Sequence, residues 1–111
     1  MGTNALQPSR RLKKANAVVG DAFQAFRDAA KYSGPLDRAT IELILIAGFA
    51  TGGHEEPFKN HVARSLQAGV AKEALQQVVY ATLGATAVLP VVANALRWID
   101  EVDEARLEEK T

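Results

Sequence analysis

From about Arg11 to Tyr32 the apolar positions are Leu12, Val18, Val19, Phe23, Phe26, Ala29 and Ala30. Most of these spacings are three or four, which is one face of a helix. Ser33-Gly34-Pro35 ends the run, because glycine accepts positive φ and proline disfavours helix in the residue before it. Asp37 suits the N-cap of a second helix over about Arg38 to Thr51, with Leu36 placed as a staple. There Ile41, Leu43, Ile44, Leu45, Ile46, Ala47, Phe49 and Ala50 are apolar nearly all round. That pattern predicts the central, most buried element. Gly52-Gly53 stops it.

Glu55, Glu56 and Pro57 fit the first turn of a third helix. The carboxylates meet the positive end of its dipole, and proline lacks an N–H that would be unpaired there anyway. Phe58, Val62, Leu66 and Val70 form its stripe, and Gly69 closes it. A fourth helix is expected over about Lys72 to Ala87, with Leu75, Val78, Val79, Thr82 and Ala85 inward. Its start, near Ala71, lacks a capping oxygen. Pro90 opens a fifth, with Val91, Val92, Ala95, Leu96, Ile99 and Val102 on one side, fraying through EVDEARLEEKT. Five helices and no strand pattern predict an all-α domain. Its expected bounds are residues 10–108, with a flexible lead over 1–9 punctuated by Pro8 and a frayed tail over 109–111.

Composition narrows the picture. At 111 residues one domain is expected, and a core this small gains from association between copies. Hydrophobic residues make up 48% but aromatics only 6%, which suits close-packed helices. The 13 basic and 13 acidic residues cancel, so no nucleic-acid surface is indicated. Basic residues (Arg10, Arg11, Lys13, Lys14) open the chain, and acidic ones (Asp100, Glu101, Asp103, Glu104, Glu108, Glu109) crowd its end. The plain reading is two solvated helix ends; the sharper one is head-to-tail complementarity between subunits. MGTNALQPSR has no apolar h-region, and no apolar run is long enough for a membrane span. A cytoplasmic protein is expected.

There is no cysteine. Disulfides, thiolate metal sites and thiol catalysis are therefore excluded for this chain. The remaining candidate chemistry lies between Asp37 and Gly69. Glu42 is a carboxylate within the most apolar helix. There it is either paired on a wet edge, with Arg38 at i−4 or a lysine elsewhere, or poised for acid–base work near neutral pH. His61 lies in the next predicted helix, where a histidine is either a structural residue or a proton carrier. His54 lies in the Gly-Gly-His turn. A metal set of His54, Glu56 and His61 is conceivable, but the two histidines are seven residues apart. That is about 10 Å along a helix, and the pattern is not His-Glu-x-x-His. No metal or cofactor is expected. Phosphate-loop, nucleophile-elbow and dinucleotide motifs are absent.

The strings PLDRATIELILIAGFA, HVARSLQAGVAKEALQQVV and LPVVANAL resemble the carboxymuconolactone decarboxylase family, which includes the alkylhydroperoxidase D-like proteins. The resemblance runs from about Ala22 to Glu101. It implies a compact all-α fold of five to six helices, assembled as homotrimers or homohexamers, with a site near subunit contacts and a small-molecule substrate. In the peroxidase branch a Cys-x-x-Cys pair works with a glutamate twelve residues before it and a histidine four after it. Those positions fall on Glu42 and His61, while the cysteine positions fall on His54 and Pro57. The relay pair is kept and both thiols are gone, so peroxide reduction by thiolate is not available. The decarboxylase branch also lacks the cysteines. By that resemblance Glu42 would hold or deliver a proton, His61 would orient it or the substrate carboxylate, and His54 would supply positive charge to a departing carboxylate. Val88 stands where the decarboxylases usually carry glycine. Of the nearby cations, Lys59 and Arg64 read as solvent-facing, and Arg38 could turn either way.

Overall fold

The computed structural model describes residues 8–110. Residues 1–7 of the expected lead and Thr111 of the expected tail lie outside that range. Among the described residues there are six helices and no strand: α1 (Pro8–Ala15), α2 (Ala17–Lys31), α3 (Arg38–Gly52), α4 (Glu55–Gln67), α5 (Lys72–Tyr80) and α6 (Leu89–Glu109). The chain forms two compact units, one ending at Leu36 and one beginning at Asp37.

The first unit corrects the expected single helix over Arg11–Tyr32, which is two helices broken at Asn16. Asn16 has extended backbone (φ −156°, ψ 110°), and its side chain accepts from the Val19 N–H at 3.1 Å. It therefore caps a new helix rather than continuing the old one. Pro8 and Ser9, expected in the lead, belong to α1. Proline's fixed φ and missing N–H suit a first helical turn. The helices pack closely at Gly20, which is buried. A Cβ there would lie 2.4 Å from Lys13 Cα, so glycine is needed for that approach.

The second unit holds the core. Ile46 and Ala50 of α3, Phe58, Val62 and Leu66 of α4, Leu75 and Val79 of α5, Ala87, and Val92, Ala95, Trp98 and Ile99 of α6 are all buried. Helix α4 packs on α3 and α6, and α5 packs on α6 and α3. The expectation that α3 would be the most buried element is corrected: α4 buries five residues and α3 two. An all-round apolar helix needs partners on every side. Within this unit α3 is covered on one face, and Ile44 stays exposed.

Helix ends follow local chemistry. Asp37 accepts from the Thr40 N–H at 2.7 Å. A hydrogen bond from the Thr40 side chain, together with that backbone bond, holds its carboxyl below the usual range. Gly53 takes a left-handed conformation (φ 71°) after α3, and the His54 N–H reaches back to the Phe49 carbonyl at 2.9 Å. Gly69 (φ 97°) does the same service after α4, with the Val70 N–H on the Ser65 carbonyl. The expected fourth helix stops early, at Tyr80. Thr82 Oγ1 bonds the Val79 carbonyl, and Gly84 turns at φ 81°, so Ala85, expected inward, is exposed. In contrast, α6 does not fray at EVDEARL but runs on to Glu109. Asp100 and Glu101 anchor it to Lys72 (2.8 Å) and Lys59 (2.6 Å).

Candidate active site

Glu42 comes from the second turn of α3, where the helix meets α4. His61 comes from the middle of α4, on the face that carries Phe58, Val62 and Ser65 into the core. The two helices are antiparallel neighbours through the short Gly53-His54 turn, and this aligns residues nineteen apart. His61 Nδ1 and Glu42 Oε1 are directly hydrogen-bonded. The His61 side chain is 6% exposed and that of Glu42 is 22%. The imidazole is thus closed off from water, while the carboxylate keeps a wet edge. With an ionised Glu42 accepting, Nδ1 carries the hydrogen and Nε2 the lone pair of the neutral ring. A proton on Nε2 would instead be balanced by the carboxylate. Such a pair can hold or pass one proton without creating a lone buried charge.

His54 is exposed at the start of α4 and makes no side-chain cap bond. Its ring meets Phe49 edge-on, with centroids 6.5 Å apart and planes at 86°. Phe49 in turn lies against His61, with centroids 5.1 Å apart and planes tilted by 37°. The sequence pattern marks Phe49 only as part of an apolar helix. The signal was available: it stands seven residues after Glu42, two turns along the same face.

The metal set of His54, Glu56 and His61 is not assembled. Among the described residues no three His, Asp or Glu side chains come together as metal ligands. Glu56 instead stands exposed in the first turn of α4. Lys59 corrects the solvent-facing expectation. It is half-buried and bridges Glu101 at 2.6 Å and Glu55 at 2.8 Å. Burial pulls its ammonium down, but the hydrogen bonds and charges of Glu101 and Glu55 outweigh that and leave it above its usual value. It is therefore committed to holding α4 on α6. Arg64 is exposed, as expected.

Residues 17–101 match the carboxymuconolactone decarboxylase family, and with most of its length matched the chain belongs to that family. The match starts at the first residue of α2 and includes both Glu42 and His61. No curated protein and no solved structure gives a significant match. The chain is thus an all-α family member without cysteine, and no described helix is long and apolar enough to cross a membrane.

Proposed function

We propose that this protein performs acid–base chemistry of the decarboxylase type on a small carboxylated or lactone substrate, with Glu42 and His61 as the proton-handling pair. The observation that carries the reading is the direct hydrogen bond between a buried imidazole and a half-buried carboxylate in a chain with no thiol. Cleavage of the carbon–carboxylate bond releases CO2 and leaves the bonding electron pair on carbon, delocalised towards the lactone carbonyl. A proton delivered to that carbon completes the reaction. Glu42, on the wet edge, holds and delivers the proton, and His61 fixes its position and balances its charge. His54, when protonated, adds positive charge beside Phe49 and favours the approach of a carboxylate.

The test is Glu42→Gln assayed with carboxymuconolactone. Loss of a positioned acid or base costs about 10²- to 10⁴-fold in rate, with little change in thermal stability because glutamine keeps a hydrogen-bonding oxygen. Turnover equal to the unaltered protein would refute the relay.

A second reading is a non-catalytic oligomeric binding module of the same fold. It is favoured by apolar side chains left open to solvent, among them Phe26 at 71% and Leu89 at 67%. Assembly as a homotrimer or homohexamer is part of both proposals.

A further inference from the structure

We infer that Phe49 is a positioning residue for His61, setting the plane in which the imidazole meets Glu42; the inference rests on the acid–base reading of that pair. Three observations converge on it. Glu42 and Phe49 lie two turns apart on one face of α3, so a single rigid element presents both the carboxylate and the ring. The Phe49 ring lies within stacking distance of His61, at 5.1 Å between centroids, close enough for an aromatic pair to constrain orientation. Phe49 itself is held from two directions. It packs against the core that includes Ile46 and Phe58, and its ring meets His54 edge-on.

His54 can take that place because residue 52 has no side chain. A Cβ on Gly52 would lie 2.5 Å from His54 Cδ2 and 2.7 Å from Nε2. The turn after α3 therefore seats one histidine against the ring that orients the other. The tilted phenyl ring beside His61 narrows the range of planes in which the imidazole can meet Glu42. Misplacement of about 1 Å costs a relay of this kind up to about a hundredfold in rate.

The experiment compares Phe49→Leu and Phe49→Met, which remove the ring, with Phe49→Tyr, which keeps it. NMR of the His61 imidazole protons is read across pH for each, alongside turnover of carboxymuconolactone. The ring-deleted forms are expected to shift the His61 resonances and to lower kcat about ten- to a hundredfold at unchanged KM. Phe49→Tyr is expected to restore both. Unchanged His61 resonances in a folded ring-deleted variant would overturn the inference. Should neither ring-deleted form fold, nuclear Overhauser contacts between Phe49 and His61 in the unaltered protein decide: their presence supports it and their absence overturns it. If the resonances respond but no form of the protein, unaltered included, turns over substrate, the positioning stands and the catalytic reading falls.

Discussion

A single missing methyl group matters at two glycines, in opposite ways. At Gly20 an added Cβ would strike the backbone of Lys13, and backbone cannot swing aside. Gly20→Ala should therefore push α1 from α2, at about 1–3 kcal/mol for overpacking, read as a lower midpoint in urea. At Gly52 the atoms in the way belong to the outer end of the His54 ring, which can rotate. Gly52→Ala should leave the melting temperature equal or slightly raised, since alanine favours helix, while the His54 ring signals move in NMR. Asn16→Ala should cost about 1 kcal/mol by uncapping α2, visible as reduced helicity by circular dichroism. Asn16 was legible as a residue type that caps helices. Its neighbours carried the apolar period straight across it, and periodicity alone does not register a break of one residue.

At the scale of elements, α4 is fastened to α6 by Lys59 and Glu101. The hydrogen bond from Lys59, against the opposing effect of burial, holds the Glu101 carboxyl below its ordinary value of 4.5. Its contribution is present above pH 4.5 and is lost as pH falls through the depressed value. Lys59 is held above its ordinary 10.5, so its contribution is full below pH 10.5 and is lost as pH rises through the raised value. Thermal midpoints should fall outside that window, modestly because the pair is partly exposed. Lys59→Met should flatten both limbs. The helices themselves were legible because stop signals at Ser33-Gly34-Pro35, Gly52-Gly53 and Gly69 are local. The fastening was not, because Lys59 and Glu101 are forty-two residues apart, and sequence shows charges without partners. The acidic end of the chain is thus partly spoken for within the chain itself, with Asp100, Glu101 and Asp103 engaged by Lys72, Lys59 and Arg106.

For the whole molecule, the all-α class and the family were both readable from the order of the apolar strings. The relative burial of the helices was not. Helix α3 reads as the centre because it is the most apolar, yet what a helix buries is set by its neighbours. Apolar side chains are left open on both units, including Val18 and Phe26 in the first and Ile44, Val88 and Leu89 in the second. The homotrimer or homohexamer proposed above would cover such side chains, and light scattering is then expected to return a mass three or six times 11.9 kDa. A monomer mass would remove assembly from the proposal.

The turn after α3 has one more consequence. The His54 amide hydrogen is tied to the Phe49 carbonyl, so the residue whose ring lies on His61 also holds the strap that closes its own helix. Deuterium uptake at that one amide measures how readily the turn opens, and so how firmly the two imidazoles and the phenyl ring are held together.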